Sequence, residues 1–249
     1  MTTVDDARRA LGGVGAFLPA PYDVALRAGE QRAAARRLEA AGWRAVWLNE
    51  AVGGKDTMVQ AAMLLAATET LTVGTGIANI WARPAVTLHG GAAGLADAFP
   101  GRFVLGIGVG YAHQAELVGQ HFGPPAPTMR AYLEAMATPT RLPAPDAPYA
   151  RILAANGPRL LELARDRADG ALPAMRPPEF TAEVRALLGP EKLLVAMVHL
   201  PAGQPDAEVA AGVEAHRAAG ADHVLLTPDL GAPYGPAIDQ FERLAAALT

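Results

Sequence analysis

The chain has 249 residues, 51% of them hydrophobic and 18% charged, with a net charge of −4 and no cysteine. This balance supports a buried core and excludes wholesale disorder, a disulfide framework, a cysteine-based metal site and the clustered positive charge of a nucleic-acid-binding surface. No apolar run reaches the ~18 residues that span a bilayer. Asp5, Asp6, Arg8 and Arg9 break the pattern of a secretory signal, so a cytoplasmic location is expected.

Short apolar runs alternate with longer amphipathic ones from start to end. Val14–Leu18 reads as a strand, Gly29–Ala41 as a helix, Arg44–Leu48 as a strand, and Asp56–Thr70 as a helix capped by Asp56. Leu71–Ile80 is the third strand, Pro84–Ala98 a helix with proline in its first turn, and Arg102–Gly110 the fourth strand. Ala112–Gly119 and Thr128–Ala137 read as helical, and the proline-rich 138–149 as a surface loop. Arg151–Ala155, Gly170–Ala174, Lys192–Leu200 and His223–Thr227 are the remaining strands, followed in turn by helices at Pro158–Ala168, Pro178–Leu188, Asp206–Ala219 and Pro236–Leu248. Eight strands in alternation with helices predict a parallel sheet, and eight units in ~250 residues fit a closed (β/α)8 TIM barrel of the α/β class. A doubly wound sheet would leave two units over. Residues 40–48 and 218–226 echo one another, each with a glycine (Gly42, Gly220) that ends a helix in the left-handed conformation.

In such a barrel the reactive groups sit where strands end at the C-terminal face. That rule selects Tyr22 and Asp23, Asn49 and Glu50, then Asn79, Trp81 and Arg83, then Tyr111 and His113. Asn156, Arg176, His199, Thr227 and Asp229 complete the ring. Gly106, Gly108 and Gly110 allow two readings, close approach of a ligand to the backbone or relief of crowding in the barrel. They do not form a dinucleotide fingerprint, because Tyr111 stands where a small residue is required and the run opens the fourth unit rather than the first. The start of the helix at Asn156-Gly157-Pro158-Arg159 could hold an anion on its unpaired amides or be an ordinary cap. The six histidines form no metal signature, so no metal site is expected, and neither a nucleophile elbow nor a phosphate-binding loop occurs.

Glu39–Glu50, Leu71–Ile77, Ala82–Pro84 and the run Pro100-Gly-Arg-Phe-Val-Leu-Gly-Ile-Gly-Val-Gly110, with Leu153–Arg159, Ala168–Gly170 and Ala219–Val224 after them, together resemble the bacterial luciferase-like superfamily. The likeness is to its branch of coenzyme F420-dependent oxidoreductases, and it covers nearly the whole chain as one domain, residues 1–249. It implies a (β/α)8 barrel, a flavin or deazaflavin at the mouth, and a non-proline cis peptide at Gly76–Ile77. By that resemblance Asn49, Gly76, Ile77, Ala78 and Asn79 would line the coenzyme, Asn79 at the ring edge. Gly108, Val109 and Gly110 would meet it with backbone, and Asn156 and Gly157 would lie on its phosphate side. Glu50 is the first candidate for proton transfer, desolvated by the ring, with Tyr111 and His113 next, and Trp81 and Tyr22 walling a small-molecule substrate. The chain departs from related sugar-phosphate dehydrogenases at Ala51 and Tyr111, where those enzymes carry an acid–base pair, so their substrate is not implied. It is also short for the family around its last units. FMN is the alternative coenzyme, a non-catalytic subunit the alternative role, and a homodimer the expected assembly.

Overall fold

In the computed structural model, which describes residues 2–19, 26–229 and 231–249, all strand pairings are parallel and the sheet closes on itself. The strands are β1 (Val14–Phe17), β2 (Ala45–Leu48), β3 (Thr72–Thr75), β4 (Ala78–Asn79), β5 (Phe103–Gly108), β6 (Ala150–Ala154), β7 (Gly170–Leu172), β8 (Leu193–Leu200) and β9 (His223–Pro228). Both β3 and β4 pair with β5, Val73 opposite Phe103 and Ala78 opposite Ile107, so the two occupy one barrel position. The result is the eight-position (β/α)8 barrel. The expected strand Leu71–Ile80 is thus divided, and the division falls at a cis Gly76–Ile77 peptide. There the Gly76 N–H turns to the Leu48 carbonyl at 2.7 Å, and the Ile77 carbonyl accepts the Glu50 N–H at 3.0 Å.

The helices are α1 (Thr3–Leu11), α2 (Ala28–Ala40), α3 (Thr57–Leu65), α4 (Ala85–Ala98), α5 (Ala112–Glu116), α6 (Pro125–Met136), α7 (Pro158–Arg167), α8 (Pro178–Leu188), α9 (Asp206–Ala218) and α10 (Tyr234–Leu248). Asp56 caps α3, accepting the Met58 and Val59 N–H groups at 2.8 and 3.0 Å. The helix ends five residues before the expected Thr70, because Glu39 of α2 takes the N–H groups of Glu69, Thr70 and Leu71 and turns the chain into β3. Gly42 and Gly220 have φ of 101° and 100°, the matched left-handed stops that the internal echo implies. The sequence reading missed α1, which is closed by a Thr2–Asp5 capping box. Its Val4, Ala7 and Leu11 cover the N-terminal end of the barrel.

Alternate residues on each strand face inward and fill the barrel with Phe17, Trp47, Val104, Ile152, Leu172, Val195 and Leu225. Trp47 fits because its neighbour on β3 is Gly74, where a Cβ would lie 2.4 Å from the indole. The indole N–H donates to Nε2 of His223 at 3.0 Å, and Nδ1 of His223 donates to the Gly12 carbonyl at 2.9 Å. The ring is therefore neutral, and burial pushes its pKa down to about 4. Among the described residues no helix is long and apolar enough to cross a membrane.

Unfolded, His223 takes its proton near 6.5; folded, only near 4. The stability it supports is therefore complete above the unfolded value and is lost as pH falls through that window, roughly 3 kcal/mol in total. Urea midpoints near neutral pH and near pH 4 measure this. His223→Gln, which keeps one donor and one acceptor, should remove most of that contribution, and an unchanged pH dependence would contradict it.

Candidate active site at the barrel mouth

At the C-terminal end of the barrel the inward positions change character. Below, the interior is sealed; at the mouth Ile77, Ala154 and Met197 are each partly exposed. Ile77 lies over Gly108, whose absent Cβ would sit 2.5 Å from the isoleucine and 3.3 Å from Ala154. Met197 reaches toward Gly76, a Cβ there standing 3.4 Å from its methyl group. These side chains make an apolar shelf open to the mouth.

One side of the shelf is tightly hydrogen bonded. Glu50, at the end of β2, is 2% exposed, and its carboxylate accepts four N–H groups. Two come from Arg83, one at 2.9 Å and the other in a closer contact, and two from the backbone of Asn79 (2.9 Å) and Thr57 (3.3 Å). Arg83, 10% exposed, also reaches Asp56 at 2.9 Å. Burial opposes the charge of the guanidinium, and Glu50 and Asp56 outweigh it, so its pKa stands above the ordinary value. The Arg83 carbonyl accepts the hydroxyl of the partly buried Tyr132 at 2.9 Å, and burial raises the pKa of that phenol. The sequence reading expects Glu50 at the mouth and available for proton exchange; the structure places it below the surface with its oxygens committed.

Asn79, 1% exposed, is committed too. Its Nδ2 donates to Oε1 of Gln114 at 3.0 Å, and its Oδ1 accepts the Trp81 N–H at 3.0 Å. Gln114 takes the Tyr111 N–H at 2.9 Å as well, a bridging role that the sequence reading missed because nothing local marks it. Gly110 has φ of 56°, and a Cβ there would lie 2.2 Å from Gln114 and 2.4 Å from Asn79. Gly106 is pressed against the Thr75 carbonyl, 2.0 Å from where its Cβ would be. Crowding thus accounts for all three glycines of the run. Trp81 donates its indole N–H to the Val109 carbonyl at 2.7 Å and packs on Phe122.

The structure brings Tyr111 and His113 together. Their rings stack with centroids 5.8 Å apart beyond β5, and Tyr111 is 70% exposed. Asn156 bridges to Ala174, donating to its carbonyl at 3.1 Å and accepting its N–H at 3.0 Å, and so extends the β6–β7 pairing. Gly157 is the N-cap of α7. Met175, half exposed, has φ of 55°, uncommon for a residue with a side chain, and its N–H is held by the Met197 carbonyl at 2.8 Å. On the opposite side Nε2 of His199 meets Asp229 at 2.6 Å, and Thr227 is buried with its hydroxyl unpartnered among the described residues. Tyr22 and Asp23 lie outside the described residues. Among the described residues no group of His, Asp or Glu is placed to hold a metal ion.

A family model described as luciferase-like monooxygenase matches residues 14–189. The chain belongs to this family. Members of the luciferase-like superfamily are oxidoreductases and monooxygenases. Among curated proteins, none matches the sequence. Solved structures match along nearly their full length. An F420-dependent secondary alcohol dehydrogenase, solved with an F420–acetone adduct, superposes with a TM-score of 0.77 at 14% identity, over 95% of this chain and 98% of that one. The coenzyme F420-dependent tetrahydromethanopterin reductase of Methanopyrus kandleri gives 0.70 at 14% identity, covering 95% and 99%. The monooxygenase RslO1 of Streptomyces bottropensis gives 0.75 at 16% identity, covering 94% and 98%. At these identities the likeness is one of fold.

The luciferase-like mouth is held in shape by Glu50. Glu50→Ala leaves Arg83 facing Asp56 alone, and the expected cost is about 3–5 kcal/mol, as for breaking a buried pair. Urea unfolding measures it, and a cost under about 1 kcal/mol would contradict the anchoring role.

Proposed function

We propose that this luciferase-like protein is an F420-dependent oxidoreductase acting on a small organic molecule. The observation that carries the reading is the apolar shelf of Ile77, Ala154 and Met197, exposed at the mouth of a barrel otherwise sealed to its floor. A surface of this kind fits the face of a planar heterocycle. The fold shared with F420-dependent enzymes supports the same assignment. Bound at the mouth, a deazaflavin supplies hydride transfer, chemistry that the side chains themselves lack.

The chain's own residues then divide the remaining work. Ile77, Ala154 and Met197 hold the ring and exclude water from one face. Asn49 and Gly76 stand beside it where β2 and β3 end, while Asn79, Gly108, Val109 and Gly110 fix the neighbouring wall. Ala78, fully buried, packs in the outer core instead of meeting the ring. Gly157 opens α7, whose first-turn amides, with Arg159, suit the phosphate side of the coenzyme next to Asn156. Glu50 acts through position: it sets the backbone of Asn79 and so the wall. Tyr111 and His113, exposed and stacked on one another beyond β5, border the substrate on that side. Trp81, fixed by its bond to Val109, walls the substrate side.

The test is titration of the purified protein with F420 and, separately, FMN, following the chromophore. Micromolar binding of F420 and at least ~10-fold weaker FMN is expected, a difference of about 1.4 kcal/mol. Ala154→Phe, which fills the shelf, should weaken F420 by more than ~10-fold with an unchanged circular dichroism spectrum. Tight FMN with no F420 would replace this reading with flavin-dependent monooxygenase chemistry, and binding of neither with a non-catalytic role.

A further inference from the structure

The mouth has a second polar cluster that plays no part in the wall described above. The interior of the barrel is built from Leu193 and Val195 on β8 and from His223 and Leu225 on β9, while Leu194, Ala196, Val224 and Leu226 pack outward against the helices. Continuing that alternation upward puts Met197 and then His199 on the inner face of β8, and Thr227 on the inner face of β9. His199 and Thr227 are register partners across the two strands. His199 thus stands one step above the partly exposed Met197 of the shelf.

Two observations set this cluster apart from ordinary surface polarity. The first is the His199–Asp229 contact of 2.6 Å, made through Nε2. An Nε2–H donated to a carboxylate fixes the tautomer and leaves the Nδ1 lone pair as a base. The second is Thr227, 3% exposed, whose hydroxyl has no partner among the described residues. A buried hydroxyl left unpaired calls for an explanation, and a substrate oxygen at the same level supplies one. The charged groups that line the cleft shared with Asp229, among the described residues, are Asp239 and Arg243 of α10, and Asp239 is itself paired with Arg37.

We infer that His199 is the general base of this enzyme, held by Asp229 as a positioning residue, for a substrate that is oxidised at a carbon bearing a hydroxyl group. The inference rests on the F420-dependent reading for its electron acceptor. In the oxidative direction the substrate O–H proton passes to Nδ1 of His199. With a deazaflavin bound as the electron acceptor, the hydrogen on the same carbon would leave as hydride with both bonding electrons while the C=O bond forms. Asp229 balances the imidazolium until water takes the proton. In the reverse direction the carbonyl oxygen receives its proton from the same nitrogen. Thr227 offers the oxygen a second hydrogen bond.

Two experiments test it. The first needs no coenzyme: ¹⁵N NMR of the histidine rings in the wild type and in Asp229→Asn. A dominant Nε2–H tautomer of His199 in the wild type, mixed in the variant, is expected; equal tautomer populations in the wild type overturn the dyad. The second uses F420 and a panel of short-chain primary and secondary alcohols, reading loss of the oxidised chromophore. Turnover of at least one is expected in the wild type, and turnover of none overturns the hydroxyl assignment. His199→Ala should lower kcat by about 10²–10⁴-fold, with F420 binding unchanged, and added imidazole should restore part of the rate, which no merely structural role would allow. Full turnover in His199→Ala, or loss without rescue by imidazole, overturns the base assignment. Failure of the wild type to bind F420 overturns the reading beneath it and is seen separately, in the titration.

Discussion

Burying a carboxylate costs several kcal/mol unless each of its oxygens is paired, and in this barrel that demand shapes the mouth. Glu50 ends β2, yet its partners come from the backbone at the start of α3, from β4 and from Arg83 ahead of α4. Arg83 in turn carries Asp56 and, through its carbonyl, Tyr132 of α6. One pair therefore ties together the end of β2, the start of α3, β4 and the segment leading into α4, with α6 joined through the Arg83 carbonyl. The β4 register follows from it, because the Asn79 N–H that Glu50 accepts belongs to the residue whose side chain holds Gln114 and Trp81.

Below the mouth the governing constraint is crowding. The closed interior leaves little room for large side chains, and Trp47 is accommodated at the cost of a side chain on its β3 neighbour. Gly74 yields to its indole and Gly15 to the His223 ring, and at Gly170 even a methyl group would meet the Leu193 carbonyl at 1.9 Å. The polar atoms brought inside by Trp47 and His223 are settled among themselves and against Gly12. The floor is therefore filled and closed by α1, and the apolar surface of the interior is left open at the top.

The legible part of the sequence is the part written in periodicity and local turn chemistry. Alternation along the chain showed the barrel, Asp56 showed the start of α3, and Gly42 and Gly220 showed two helix ends, each from residues a few positions apart. The resemblance placed the cis peptide at Gly76–Ile77, where the structure has it. What stayed hidden depends on distance along the chain. Helix α1 carries Asp5, Asp6, Arg8 and Arg9 among few apolar residues and reads as surface; its burial exists only once the barrel bottom is formed. Arg83 stands 33 residues from Glu50, Gln114 35 from Asn79, and Asp229 30 from His199. Type and strand-end position mark such residues as candidates, but which of them meet is decided by closure of the sheet. Glu50 shows the difference: a carboxylate at a strand end reads as an acid or base until its partner is known.

The two sides of the mouth consequently differ in what they can do. Along β2 to β5 the polar side chains Glu50, Asn79 and Gln114 spend their hydrogen bonds on one another and on backbone, so this wall is preorganised and rigid. A rigid wall suits a group that must be held in one plane, since positioning contributes to rate only when it does not relax. Along β8 and β9 the polar groups are sparser and less committed: His199 keeps a nitrogen, Thr227 keeps a hydroxyl, and both Asp229 and His199 are half exposed. Proton transfer needs this second condition, because a group saturated by internal donors can neither take a proton nor give one. The shelf of Ile77, Ala154 and Met197 lies between the two sides, with the wall that fixes on one flank and the groups that can react on the other. The placement of reactive polar groups opposite the saturated wall, rather than within it, is what makes the exposed carboxylate–imidazole pair, and not the buried carboxylate–guanidinium pair, the chemical end of this barrel.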